Sequence, residues 1–206
     1  MKHIIKDNNK NTQNLFRRWQ QRGGWSADKS DNKAEELKQK IKDLLLTEQG
    51  EICCYCEERI TNDRCHIEHF LPKGNSQFAH WASSYENIFC SCNYTQSCGT
   101  KKGGKVIPIS PLNENCEDLF TYSDRGKITG KNQNANDTIR ILNLDSEHFI
   151  SARKKVIDTF IEDMDKLSDI SLLEFDRWIS DYLAQKPFVR FWTTVKWAGE
   201  KYRTFF

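Results

Sequence analysis

The chain has 206 residues, and its eight cysteines, about 4% of the total, fall below the roughly 8–10% of a disulfide-stapled secreted scaffold. Mean hydropathy is −0.75, and no apolar run approaches the roughly 18 residues of a membrane-spanning helix, which excludes an integral helical membrane protein. Net charge is +2, but residues 1–42 carry eleven Lys/Arg against five Asp/Glu; this basic front suits either nucleic acid or a solvated helix face.

The predicted elements run as follows. The opening stretch MKHIIKDNNK has no apolar leader core, so a reduced, cytoplasmic chain is expected. Residues 7–14 are polar and read as loose. Leu15, Phe16 and Trp19 suggest a short helix ending before Gly23 and Gly24. A clearer helix follows, capped by Ser30 or Asp31, with Leu37, Ile41, Leu44 and Leu45 at three-to-four spacing and Gly50 as its stop. Ile52 to Ile60, a turn at Thr61–Asp63, and Arg64 to Phe70 read as strand, turn, strand. Residues 74–86 read as loop or short helix, and residues 99–104 (GTKKGG) as a flexible basic segment. Short strands are expected around Val106-Ile107 and Lys127–Thr129. Ser146 can cap a helix with the stripe Phe149, Ile150, Val156, Ile157, Phe160, Ile161, Met164 and Leu167. A second stripe runs from Leu172 to Leu183, which Pro187 ends or kinks, and an aromatic tail holds Phe191, Trp192 and Trp197; core or subunit interface is the expected use of these rings. The segments divide as 1–50 (N-terminal helical), 51–110 (the cysteine-rich core), 111–145 (connecting strands and loops) and 146–206 (C-terminal helical).

Seven of the eight cysteines lie between Cys53 and Cys98. Cys53 and Cys56 form a C-x-x-C, a spacing at which two thiolates grip one ion from a tight turn, the half-site of a structural zinc. Cys90, Cys92 and Cys98 are candidates for the other half. A redox pair or buried packing cysteines are the alternatives, but no thioredoxin-like pattern surrounds the motif. Between the half-sites lies Cys65-His66-Ile67-Glu68-His69-Phe70-Leu71-Pro72-Lys73. On a strand, His66 and Glu68 share one face and His69 the other, and Pro72 can turn the chain so that Glu68 and His69 approach a common site. A neutral imidazole there can take a proton from water, and the carboxylate can hold Mg²⁺.

Taken in order, Cys53-x-x-Cys56, Ile67-Glu68-His69-Phe70-x-Pro72-Lys73, Tyr85-Glu86-Asn87-Ile88-x-x-Ser91-Cys92 and Cys98-x-x-x-Lys102-Gly103 resemble the HNH endonuclease family. Leu45-x-x-Glu48-Gln49-Gly50-x-x-Cys53 through Glu57 brings the chain closer to the HNH subunit of Septu-type anti-phage systems and to retron-associated HNH proteins. The resemblance covers about residues 45–105.

It implies an α+β fold with a small zinc-stapled ββα-metal core. It implies His69 as general base, Glu68 as ligand of a catalytic Mg²⁺ or Mn²⁺, and Asn87 as the residue that steadies the loop carrying the base. Cys53, Cys56, Cys92 and Cys98 match the structural Zn²⁺ ligands. The family usually has two residues between the last two cysteines and then Asn or His; here five separate Cys92 from Cys98, and Gly99 follows. Asn93 can serve as the missing metal ligand, His66 is another candidate for either ion, and Cys90 an alternative to Cys92. Lys73, Lys101, Lys102 and Lys105 would hold flanking phosphates of DNA or RNA. The resemblance also implies an ATPase partner of the ABC/SMC-like class, docked on the C-terminal or N-terminal helices. No phosphate-binding glycine loop of an ATPase occurs in this chain. The rival expectation is a non-catalytic zinc module that docks nucleic acid or protein.

Overall fold

The computed structural model describes residues 1–28, 30–167 and 170–206. Helix α1 (Lys10–Gln20) starts inside the polar stretch expected to be loose. The Asn9 side chain accepts from the amides of Asn11 and Thr12 and so satisfies two of the orphan donors of the first turn. Thr12, Phe16 and Trp19 bury one face. Helix α2 (Asn32–Glu48) is capped by Asp31 and buries Leu37, Ile41 and Leu45 along its stripe, packing on α1. Gly50 ends it in the left-handed region, φ 57°, with the Phe188 ring so near that a Cβ would lie 2.2 Å from it.

The hairpin expected from residues 52–70 does not form. Residues 51–60 make a tight knuckle with a single bridge, Ile52 to Arg59. The Cys53 amide donates to the Glu58 carbonyl, and Glu57 sits at φ 63°, a left-handed kink that no continuing strand tolerates. Strand β1 (Cys65–His69) instead pairs antiparallel with β2 (Ile88–Cys92), with Cys65 opposite Cys92 and His69 opposite Ile88. Between them run two short 3-10 turns, Ser76–Trp81 and Tyr85–Asn87. The segment read as flexible begins as helix α3 (Cys98–Lys102), which packs on β2, so β1, β2 and α3 form a ββα unit.

Beyond it, β3 (Phe120–Tyr122) and β4 (Ile128–Gly130) form a small hairpin. Val106-Ile107 is not a strand, although Ile107 is buried. Helix α4 (Gln133–Leu142) falls in the region expected to hold only strands and loops. Two of its four buried positions are Ala135 and Thr138, so its stripe has little apolar signal. Helices α5 (Glu147–Asp165), α6 (Leu172–Ala184) and α7 (Trp192–Tyr202) follow. Ser146 precedes α5 as its N-cap residue, and Ser171 and Glu174 form a reciprocal capping box on α6. Phe160, Phe175, Val195 and Ala198 make a second small core, with Trp178 and Tyr182 packed against it. The buried carboxylate of Glu57 receives both the amide and the hydroxyl of Thr193 at 2.7 Å, which ties α7 to the knuckle.

Candidate active site

The knuckle, the end of β2 and the start of α3 bring Cys53, Cys56, Cys92 and Cys98 together, fully buried, with all four sulfurs within 4.8 Å of one another. Among the described residues this is the only grouping of three or more His, Cys, Asp or Glu side chains that could share one ion. A tetrahedral site with metal–sulfur bonds of about 2.3 Å requires sulfur–sulfur edges of about 3.8 Å. The Cys56–Cys92 sulfurs are 3.8 Å apart. The donor set thus fits a structural metal ion. Burial opposes charge on Cys53, but the thiols of Cys54, Cys56, Cys92 and Cys98 outweigh it and draw the Cys53 thiol well below its ordinary value; burial pushes Cys56 and Cys98 up. Cys90 stays outside this cluster: its thiol is pushed up, first by a hydrogen bond to Cys65 and then by burial.

His69 ends β1 opposite Ile88, at the other end of the ladder from Cys92. Its Nε2 donates to the Ala82 carbonyl at 3.0 Å, since a carbonyl only accepts, and this leaves Nδ1 of the neutral ring as a proton acceptor. Trp25 donates to the same carbonyl at 2.6 Å and packs its ring edgewise on the imidazole, 4.7 Å between centroids. Burial, then the nearby Lys73 charge, lowers the His69 pKa to about 4, so the ring is neutral at physiological pH. Asn87 is buried and fully engaged. It accepts from the Leu71 amide at 2.7 Å and donates to the carbonyls of Leu71 (3.0 Å) and Trp81 (3.1 Å). It thereby clamps the two ends of the loop that carries the Ala82 carbonyl.

Glu68 is neighbour to His69 on the strand and is held from one side. The Lys102 ammonium lies 2.9 Å from its Oε1, and the Tyr55 hydroxyl donates to the same oxygen at 3.3 Å. Oε2 faces His66 Nε2 at 3.5 Å. Burial alone would raise the Glu68 carboxyl, but His66 and Lys102 outweigh it and hold it below the usual carboxylate range. The Glu68 contact in turn raises the His66 pKa. Asn93 Oδ1 sits 3.0 Å from His66 Nδ1. A Cβ on Gly99 would lie 2.6 Å from Glu68 Oε2 and 2.7 Å from His66 Nε2, so only glycine fits where the chain starts α3.

Three of the four lysines expected to meet phosphates, Lys73, Lys101 and Lys105, are exposed. Lys102 is not: it is 1% exposed, paired with Glu68, and donates to the His69 carbonyl at 2.8 Å. The short helix α3, unforeseen in a Gly/Lys-rich run, turns this side chain inward. Trp25 and the Ala82 carbonyl carry no motif and could not be singled out; their roles follow from a contact 44 to 57 residues apart in the chain. A groove of about 750 Å³, lined by Arg59, Arg64, Arg190, Tyr94 and His148, opens beside Asn93.

No protein-family model matches the chain. It is 31% identical over 137 residues to a protein of Vibrio cholerae serotype O1 biovar El Tor named "Retron Vc95 putative HNH endonuclease". The match spans 61% of this chain and 67% of that protein.

Proposed function

Because this chain belongs to the HNH endonuclease family, we propose that it hydrolyses phosphodiester bonds of nucleic acid with His69 as general base. The observation that carries this reading is the state of His69: neutral, fixed through Nε2 on a backbone carbonyl, with Nδ1 left to accept. Nδ1 takes one proton of a water, whose oxygen attacks phosphorus, and the bond from phosphorus to the 3′ oxygen breaks. The leaving oxygen takes its proton from solvent. Glu68 would hold a divalent cation, Mg²⁺ or Mn²⁺, which would supply positive charge to the phosphate undergoing attack. Asn87 keeps the loop, and through Ala82 the imidazole, in place. Cys53, Cys56, Cys92 and Cys98 hold Zn²⁺ as a staple with no part in the chemistry. Lys73, Lys101 and Lys105 engage flanking phosphates without reading sequence.

In this reading the chain is the effector nuclease of an anti-phage system, acts in the cytoplasm, and works with an ATPase of the ABC/SMC-like class. The retron in the relative's name supports the setting. Leu173 and Phe205, large side chains left exposed on the C-terminal helical region, suit a partner surface there. Among the described residues no helix is long and apolar enough to cross a membrane.

The test is cleavage of plasmid, single-stranded DNA and RNA with Mn²⁺ or Mg²⁺, with and without an ATPase of the ABC/SMC-like class as the proposed partner. Wild-type cleavage lost in His69→Ala supports the reading. Equal cleavage by His69→Ala sinks the assigned base, and no cleavage by any preparation favours the non-catalytic docking module. Leu173→Asp with Phe205→Asp is expected to abolish co-elution with the ATPase; unchanged co-elution removes the C-terminal interface.

A further inference from the structure

The place where the family's third motif residue is missing, Gly99, is not empty space. Two donor atoms crowd onto it: Glu68 Oε2 and His66 Nε2, both too near for a Cβ. We propose that His66 is the second protein ligand of the catalytic cation, with Glu68, and that Asn93 is a positioning residue that acts through His66. This deepens the nuclease reading above and rests on it.

Three features of the geometry converge. First, Asn93 Oδ1 lies 3.0 Å from His66 Nδ1, and an amide oxygen can only accept, so Nδ1 carries the hydrogen. The neutral ring then has its lone pair on Nε2, aimed at Glu68. An imidazole whose other nitrogen is tied to an oxygen is the arrangement that fixes a metal-binding histidine. Second, Glu68 is split between two jobs. Oε1 is anchored by Lys102 and Tyr55, while Oε2 has neither contact and faces His66. Third, the 3.5 Å between Nε2 and Oε2 suits one ion. With bonds of about 2.1 Å to each atom, that separation corresponds to an angle of about 110°. The His66 side chain is 35% exposed, so the remaining positions are open to water and to a phosphate oxygen.

One nitrogen ligand changes which ion the site prefers. Mg²⁺ favours an all-oxygen octahedron, whereas imidazole suits the first-row transition ions. The site therefore selects Mn²⁺ and its neighbours over Mg²⁺.

The experiment uses the full chain as purified, titrated with Mn²⁺ by calorimetry and examined by electron spin-echo spectroscopy, with cleavage measured in the same buffer. Mn²⁺ is expected to bind at least about tenfold more tightly than Mg²⁺ and to show coupling to an imidazole nitrogen. His66→Gln should remove that coupling and lower Mn²⁺ affinity at least about tenfold. Asn93→Ala should lower it about 10–100-fold in the wild-type background and not at all in the His66→Gln background. Wild-type Mn²⁺ affinity in His66→Gln, with the coupling retained, overturns the assignment and leaves a plain His66–Glu68 ion pair. An equal loss from Asn93→Ala in both backgrounds overturns it too, because Asn93 then ligates directly. If the wild type binds no divalent ion outside the thiolates, the proposal falls. Cleavage by the wild type in any of these cases leaves the nuclease reading standing; absence of cleavage from every preparation sinks that reading separately.

Discussion

Replacing Lys102 by methionine separates two roles for the same residue. A lysine in a Gly/Lys-rich run is expected to reach a backbone phosphate, yet here its ammonium is buried between Glu68 Oε1 (2.9 Å) and the His69 carbonyl (2.8 Å). Methionine keeps the stem and removes the charge. Glu68, with a side chain only 10% exposed, is then left without its nearest cation. Truncating one member of a buried pair costs about 3–5 kcal/mol. Glu68 can relieve part of this by taking up a proton, so the lower end is the expected value. For a chain of this size each kcal/mol moves the melting temperature by about 2–4 °C, so a loss of about 3 kcal/mol gives a drop of roughly 6–12 °C. The assay is a thermal melt of the full chain without added divalent ion, together with the salt dependence of nucleic-acid binding. A phosphate contact would leave the melt unchanged and flatten the plot of log K against log[salt] by about 0.9 for duplex DNA. An unchanged melt with that flattening refutes the inward strut. A large drop with an unchanged slope supports it.

Further outcomes follow from the same geometry. Cys56→Ser or Cys92→Ser is expected to reduce bound zinc from one per chain towards none and to destabilise the fold, checked by elemental analysis and melting, because site formation and folding are linked. Retained zinc in both would move the site to other cysteines. The proposed base His69 titrates at about 4, so cleavage should hold its plateau well below pH 6.5, the value at which an ordinary imidazole would be half protonated. A rate that halves near 6.5 would count against the buried, neutral ring. The same shift has a sign for stability. The folded pKa lies below the unfolded one, so the unfolded chain binds more protons between about pH 4 and 6.5 and the fold weakens as pH falls through that window. His69→Gln should remove this part of the acid sensitivity, read from urea midpoints against pH. Gly99→Ala places a Cβ 2.6 Å from Glu68 Oε2, roughly 0.8 Å inside ordinary contact at 3.4 Å. A shift of that order at a reacting centre costs about 10²-fold, so a variant cleaving at the wild-type rate would show that Glu68 and His66 need not crowd there.

What could be read from the chain and what could not divide along a physical line. Residue types with few alternative uses were legible. Buried thiols at C-x-x-C spacing and a carboxylate followed by an imidazole point to metal and proton chemistry wherever they sit, and the four cysteines do meet in space. The longer amphipathic helices were legible too, because Leu37, Ile41 and Leu45 repeat at the helical period. Pairing was not. Residues 52–60 have the strand character that made them a natural partner for β1, but strand propensity says nothing about which segment supplies the opposite ladder. The left-handed kink at Glu57 closes the knuckle instead, and the true partner, Ile88–Cys92, lies beyond the intervening loop. The same limit explains Lys102. A lysine is exposed far more often than buried, so its sequence neighbours predict an outward side chain. Only the pairing of β1 with β2, and the packing of α3 on β2, brings a carboxylate and a carbonyl to the one point where that ammonium is better placed inside. His66 shows what the fold adds to such a residue: the sequence makes it one candidate ligand among several, sharing a strand face with Glu68, and Gly99, 33 residues on, lacks the side chain that would have occupied the space beside both.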